Sequence, residues 1–410
     1  MPRLSSGEET FGGTVCIGLQ TPYSQKEFRH QYFPLPRHSR RIFVFNIIFK
    51  MPFKPCPLFR LPLLVMEIVI KQMDHKELFP LSLTSKKAYF YVKKFHTKSS
   101  NMVVSLDGRK RSSVNFFEPG KTVLYYISVL EGTLDSSKIT VGGISAEIVK
   151  NETRDDHYST FWEDKMLGIK AMAEHLLDLF GLKIDAVHVG TETVWLMDYV
   201  EGIQGKSTYK AIVGENQEGE RTFPEEEYRK ILEHDPRELL IQAVPRGNFQ
   251  IENFNKKYES LTVYCGSWIT LNNLKTLEAA KIQIHGKRFE NGMMKAFVEH
   301  WIAGGSPSLK YLKTDTIPTY TLGNVMGQYN GTNILGDPRF RVYEGEPIMD
   351  LPAIAIRRLG DGVVATIGFG NVLGNVAVGT RRHELYEFHF RVWPDFQGDL
   401  DLNHGINFLF

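Results

Sequence analysis

Thirteen histidines and three cysteines are the residues from which a metal or nucleophilic centre would most readily be built. Their spacing builds neither. There is no HExxH and no HxH pair, and although Asp155, Asp156 and His157 stand in a row, nothing at ligand spacing completes them. Cys16, Cys56 and Cys265 lie far apart, form no CxxC pair, and cannot close a disulfide framework or a four-ligand zinc site. A reducing compartment is the simplest reading of them, with Cys265 as a buried strand residue. Ser85 and Ser145 sit in no nucleophile elbow. The glycines of 304–305 and 368–374 complete neither GxGxxG nor GxxxxGK[ST] between a strand and a helix, so turn chemistry explains them. His157, His188 and His300 read as core or surface residues. The expectation is a non-catalytic protein with no metal and no cofactor.

The function is then sought in surfaces. Of the 410 residues, 42% are hydrophobic and 23% charged, as in ordinary globular proteins, and the length suits two or three domains. No apolar run approaches the roughly 20 residues needed to cross a bilayer. The best candidate, 42–49, is short and flanked by Arg40, Arg41 and Lys50. The first ten residues, MPRLSSGEET, carry two glutamates and no apolar core, unlike a secretory signal. Charge is uneven: residues 1–110 hold 18 Lys/Arg against 7 Asp/Glu, and the remainder 31 against 40. A basic front suits nucleic acid, an acidic membrane or an acidic protein.

Residues 1–50 show no sustained period and read as a disordered leader, with a short strand at 42–49. A translation start at Met51 would remove nothing assignable. Patterning begins with PLFRLPLLVMEIVIKQMDHKELFPLSLTSKKAYFYVKKF. Pro62 suits the first turn of a helix over 64–73, on which Val65, Val69, Ile70 and Met73 fall on one apolar face. Asp74 and Glu77 have the spacing of a capping box for a second helix from His75. Ser85 can cap a third over 86–95, with Ala88, Val92 and Phe95 inward. Three short helices in about 40 residues bury too little surface to stand alone.

From about residue 115 strand-like and helix-like stretches alternate. Strands are expected at 123–129, 184–189, 209–213, 238–242, 260–264, 281–284 and 309–314, and helices at 165–180, 225–233 and 290–302. Strands from Ile184 onward recur every ~20–30 residues, the period of a leucine-rich type of strand-plus-helix solenoid. Phe297 and Trp301, one helical turn apart, read as packing of a repeat helix on its strand. Beyond Thr316 the text is rich in Gly and β-branched residues, and Gly360-Asp361-Gly362 reads as a hairpin turn. The fold class is α+β: a short three-helix unit, then an α/β leucine-rich-repeat-like domain with a β-rich C-terminal end.

Leu61-Pro62, the apolar helix ending KQM, and LSLTSKKA together resemble an F-box in the style of the large nematode F-box families. The strings FVEHWIAGGSPSLKYL (297–312) and IRRLGDGVVATIGF (356–369) are similar to the second type of F-box-associated domain. The resemblance implies an F-box at 53–97 and an F-box-associated domain at 115–410. It implies docking on a small Skp-type adaptor, and through it on cullin and RING subunits, as the substrate receptor of an SCF-type ubiquitin ligase acting on a protein target. Carried over by position, Leu61 and Pro62 are the contact pair, and Leu64, Val65, Val69, Ile70, Leu78 and Leu81 continue the apolar surface or core. Pro80 departs from the pattern, because it removes a donor within the second helix. Lys86, Lys87, Lys93 and Lys94 would rim the docking face and speed encounter with an acidic adaptor. The resemblance implies an intracellular protein, cytoplasmic or nuclear. Two other readings stand beside it: a solenoid interaction module with no ligase role, and a nucleic-acid binder using the basic front, whose lysines are interleaved with Tyr89, Phe90 and Tyr91 but which lacks an RRM, KH or helix-turn-helix signature.

Overall fold

The computed structural model describes residues 58–96, 101–117, 123–134, 137–151, 154, 156–214, 222–316, 332–333, 342–343, 346–347, 353–378, 381–394 and 396. The expectations for the leader, the strand at 42–49, a start at Met51, Cys16, Cys56 and Asp155 lie outside these residues. Two compact units emerge: one takes in residues up to 104 together with 113–183, the other residues 105–112 and from 184 onward.

In the first unit the three helices form as their caps dictate. Helix α1 runs Leu63–Gln72, with Pro62 at its N-cap. Helix α2 runs His75–Leu83 behind a complete capping box: Glu77 N donates to Asp74 Oδ1 at 3.0 Å, and Asp74 N donates to Glu77 Oε2 at 3.0 Å. Helix α3 runs Lys86–Phe95, with Ala88 N donating to Ser85 Oγ. Met66 and Ile70 of α1 are buried, as are Ala88, Val92 and Phe95 of α3. Strand β1 (Val103–Asp107) follows the helices.

The helices rest on a sheet made of β2 (Ser113–Phe117), β3 (Val123–Glu131), β4 (Ser137–Val141), β5 (Ile144–Lys150) and β6 (His157–Trp162), with helix α4 (Lys165–Phe180) behind it. The order is β2-β3-β6-β5-β4, antiparallel except for the parallel β3/β6 pair. Asp164 caps α4, and Gly181 ends it in the left-handed region at φ 66°. Gly168 lets that helix close on the sheet, since a Cβ there would stand 2.6 Å from the Trp162 ring.

Phe79, on α2, is fully buried in an aromatic nest of Phe116, Tyr125 and Tyr158, with ring centroids 6.4, 5.6 and 5.7 Å away. The next residue, Pro80, has no N–H to give to the Lys76 carbonyl. The Tyr125 hydroxyl donates to that carbonyl instead, so α2 passes through the proline intact. Farther along, Tyr89 Oη and Lys93 Nζ of α3 both bond Asp178 of α4, the lysine at 2.5 Å. Those contacts hold the Asp178 carboxyl below its usual range. His175 Nε2 meets the Ser82 hydroxyl at 2.8 Å, and burial pushes this imidazole down to about 4.

The second unit contains the solenoid. Strands β7 (Lys183–Val189), β8 (Lys210–Val213), β10 (Glu238–Ile241), β12 (Lys257–Val263), β13 (Glu278–Phe289) and β14 (Tyr311–Thr316) are parallel neighbours in chain order, and the two-residue strands β9 (Thr222–Phe223) and β11 (Val244–Pro245) pair apart from them. Helices α5 (Trp195–Gln204), α6 (Glu225–Glu233), α7 (Leu271–Thr276) and α8 (Asn291–Ile302) occupy four of the connections. Ala186, Lys210, Glu238, Ser260, Lys281 and Tyr311 form one continuous rung across the strands. The adjacent rung, Val187, Ala211, Leu239, Leu261, Ile282 and Leu312, is wholly buried, as period-two alternation on a one-sided sheet requires.

After β14 the sheet turns antiparallel. The short strands β15 (Thr332–Asn333), β16 (Val342–Tyr343) and β17 (Glu346–Pro347) precede β18 (Ala353–Arg357), β19 (Val364–Val378) and β20 (Arg381–Trp393), and β14, β20, β19, β18 and β15 pair in that order. The turn at Gly360-Asp361-Gly362 joins β18 to β19, with both glycines at positive φ. Trp301 is fully buried, its ring 5.1 Å from that of Phe390 on β20, and Phe297 joins it at 6.0 Å. Cys265 departs from expectation: it follows β12 and is half-buried, because the chain leaves the strand there for a 3-10 turn over Gly266–Trp268.

Phe79→Ala should lower the stability of this first unit by about 3–5 kcal/mol, and Tyr125→Phe by about 1 kcal/mol, because it removes the hydrogen bond to the Lys76 carbonyl. Chemical denaturation followed by helix circular dichroism would measure both; near-neutral changes would mean the helices do not lean on the sheet. His175 also sets a pH dependence. Unfolded, its ring takes up a proton near 6.5; folded, only near about 4. Its contribution is therefore complete above pH ~6.5 and shrinks as pH falls toward 4. Melting temperature should decline through that window, and less steeply in His175→Gln.

Candidate functional site

Two surfaces stand out, one in each unit. The first is the outer side of α1. Its sequence, LLVMEIVIKQ, is apolar nearly all round, and a helix of that kind is buried on both sides or waits for a partner. Met66 and Ile70 use the inner side. Leu63, Leu64, Val65 and Ile68 are left between 42% and 68% exposed, a cluster of the sort that marks an interaction site. Phe90 on α3 is exposed as well.

The residues expected from sequence divide accordingly. Pro62, Leu64 and Val65 are exposed; Leu61, Val69 and Leu81 are half-exposed; Ile70 and Leu78 are buried within the unit. Leu63 and Ile68 belong to the exposed cluster and were not anticipated. The signal was present in the run of apolar residues on every side of the helix, but a single-face reading discards it. The lysines make local contacts: Lys93 pairs with Asp178, Lys87 Nζ donates to the Phe59 carbonyl at 3.3 Å, and Lys94 lies over the Phe90 and Phe95 rings.

The second surface is the open side of the parallel strands, opposite the buried rung. Its central and C-terminal part is polar, half-buried on β13 and at Tyr311 and Lys313, and buried at Asp315 and along β20. Strand β13 contributes Lys281, Gln283 and His285; β14 contributes Tyr311, Lys313 and Asp315; β20 contributes Arg391, His389 and Glu387. Lys281, Tyr311 and Arg391 are in register, as are Gln283, Lys313 and His389; Asp315 pairs with Glu387, and His285 lies in the bulge after Ile284. Lys313 Nζ lies 2.7 Å from Glu387 Oε1, and His285 Nδ1 lies 3.3 Å from Asp315 Oδ1. The Tyr311 hydroxyl is 3.1 Å from His389 Nδ1, and Arg391 lies over the Tyr311 ring. Burial works to raise the Glu387 carboxyl, but His389 and Lys313 overcome it and hold it at about 2. Burial pushes the His389 ring down. A nitrogen of His285 and one oxygen each of Asp315 and Glu387 lie within 4.8 Å of one another, the one set of three metal-type ligands among the described residues. Sequence spacing could not reveal it, since its members come from three strands.

The remaining histidines that drew notice are apart from this cluster. His157 Nε2 meets Ser128 Oγ at 2.9 Å, His188 is half-buried on β7, and His300 is half-buried at the end of α8.

A family model described as the F-box domain matches residues 58–100, which hold α1, α2 and α3. A second, described as F-box associated and of the second type, matches residues 249–314, from before β12 into β14. The chain carries an F-box and an F-box-associated domain. Both kinds of domain are typical of non-catalytic adaptor proteins, and neither match indicates a catalytic family. No curated protein and no solved structure matches the chain. The exposed row Leu63, Leu64, Val65 and Ile68 thus lies on the first long helix of the F-box. Among the described residues no helix is long and apolar enough to cross a membrane.

Proposed function

We propose that this protein is the substrate receptor of an SCF-type ubiquitin ligase: its F-box, assigned to 53–97, docks on a Skp-type adaptor, and its F-box-associated region, assigned to 115–410, holds a protein target. The single observation that carries the docking half is the outer face of α1, where four large apolar side chains stay exposed although the helix is already packed on its other side. Each such side chain gains about 1.5–3 kcal/mol when fully buried, so an apolar groove on an adaptor is the natural complement. F-box domains generally bind adaptors of this type. Leu61, Pro62, Leu64, Val65, Val69 and Leu81 supply the contact surface in this reading, and Leu63 and Ile68 join them. Ile70 and Leu78 support it from beneath. The exposed lysines Lys86, Lys87 and Lys94 would raise the rate of encounter with an acidic adaptor.

The target half rests on the open side of the strands, a broad half-polar surface built on regular elements. The chain itself would do no chemistry. Cullin and RING subunits, joined through the adaptor, would bring the charged conjugating enzyme to a target lysine, and the receptor's part in this ubiquitin-conjugation pathway is proximity. Such a role implies an intracellular location, cytoplasmic or nuclear.

The docking face separates cleanly from the core, which makes the test direct. Leu64→Ser with Ile68→Ser removes exposed side chains, so the melting temperature should hold, exposed changes usually falling within about 0.5 kcal/mol. Loss of central apolar anchors should weaken adaptor binding by about 2 kcal/mol or more, roughly 30-fold. Leu61→Ala with Pro62→Ala should act in the same direction. Adaptor recovered equally by wild type and both double variants in a purified pull-down would rule the assignment out.

A further inference from the structure

The cluster at the C-terminal end of the open sheet face has no part in the docking reading, and its physics is unusual. Asp315 and Glu387 are direct cross-strand neighbours on β14 and β20, and each is over nine-tenths buried. Like charges placed opposite one another on a sheet repel, and buried carboxylates persist only when paired or when they coordinate a cation. Lys313 compensates Glu387 and His285 faces Asp315. The second, independent observation is His389. It is only 8% exposed, and its Nε2 sits 3.2 Å from Glu387 Oε2, within ion-pair range but out of line for a hydrogen bond. Its other ring nitrogen is held by Tyr311. That is the arrangement of a metal-ligating imidazole, one nitrogen fixed by a neighbour and the other directed at the ion.

Asp315 is also held from behind. The backbone bulges between Ile284 and Phe289, and Gly286, at φ 71°, donates its N–H to Asp315 Oδ2 at 2.7 Å. A Cβ at this glycine would stand 2.9 Å from the Tyr264 carbonyl oxygen, so the position is shaped for glycine. One carboxylate oxygen is anchored by the bulge, and the other faces His285.

We propose that His285, Asp315, Glu387 and His389 form a divalent transition-metal site that clasps β13, β14 and β20 together. Two imidazole nitrogens and two carboxylate oxygens suit Zn2+ and its neighbours, whereas Mg2+ and Ca2+ favour all-oxygen sets. Ligand atoms around a common tetrahedral ion at about 2.0–2.1 Å stand about 3.3 Å apart; those of His285, Asp315 and Glu387 lie within 4.8 Å of one another, and His389 Nε2 is 3.2 Å from Glu387 Oε2. The Lys313 ammonium is the cation the ion would displace from Glu387, and with 21% of its side chain accessible it has a route outward. The strands joined are those where the parallel solenoid meets the antiparallel hairpin, so the ion's effect would be to hold that hairpin on the repeats.

The test uses the full chain in complex with its adaptor, stripped with chelator and titrated with Zn2+ against a chromophoric competitor. The expected result is saturable binding of one equivalent, at least about tenfold weaker in His285→Gln and in His389→Gln. Lys313→Gln, which removes the competing ammonium, should bind Zn2+ more tightly than wild type. A purely structural ion-pair cluster predicts no such gain. Co2+ titration of the wild type gives a readout independent of variant folding: intense visible bands of four-coordinate nitrogen and oxygen ligation support the site. Absence of saturable Zn2+ binding, affinity unchanged within twofold in both histidine variants, or a weak six-coordinate Co2+ spectrum would overturn it.

Discussion

Three helices of about ten residues cannot enclose a core of their own, and that shortage governs how the N-terminal unit is built. The chain meets it by sinking Phe79 into the Phe116, Tyr125 and Tyr158 nest and by bridging Tyr89 and Lys93 to Asp178. Once α2 and α3 are fixed to the β2–β6 sheet and α4, the orientation of α1 follows, because Met66 and Ile70 must face the buried side. Its remaining apolar residues then have nowhere to go but outward. The exposed row is thus a consequence of where the other side is anchored. Pro80 fits the same account: the donor it lacks is supplied by the strand hydroxyl of Tyr125, so the proline becomes a point of attachment and not a break.

The C-terminal unit solves a different problem with regular geometry. Rungs in register let each repeat bury one side chain of every pair beneath the helices while the other faces outward. Such a stack has an open end, and an unpaired strand edge there invites association with other chains. The hairpin of β19 and β20 covers β14 over the whole of its length, with Trp301 and Phe297 packed against Phe390 beneath. The polar cluster of His285, Asp315, Glu387 and His389 lies on the other side of that same junction.

Where local chemistry decides an element, the sequence alone was sufficient. Asp164 and Gly181 bracket α4, and the capping box of Asp74 and Glu77 fixes the start of α2. The 20–30-residue recurrence revealed the parallel strands, and Gly360-Asp361-Gly362 revealed the hairpin turn. Helix α5 escaped notice because Val194 at its N-cap offers no side-chain bond. The β4/β5 hairpin escaped although Gly142 and Gly143, both at positive φ, form its turn; its exposed residues mix Ile144 with Ser137, Lys138 and Thr140, so no clean apolar alternation marks it. On α1 the exposed and buried sides carry the same residue types, so no periodicity separates Leu63 and Ile68 from Met66 and Ile70. The His285 cluster draws on positions 285, 315, 387 and 389, which only the register of three strands brings together.

The central claim is that α2 and α3 are already fixed by the sheet while the outer face of α1 waits for a partner. Hydrogen–deuterium exchange on the full chain, with and without a purified Skp-type adaptor, tests it most directly. The account predicts strong protection of the α2 and α3 amides in the free chain, with the adaptor adding protection chiefly over Leu63–Gln72. Free exchange throughout the three helices until the adaptor arrives, or new protection only outside them, would contradict it.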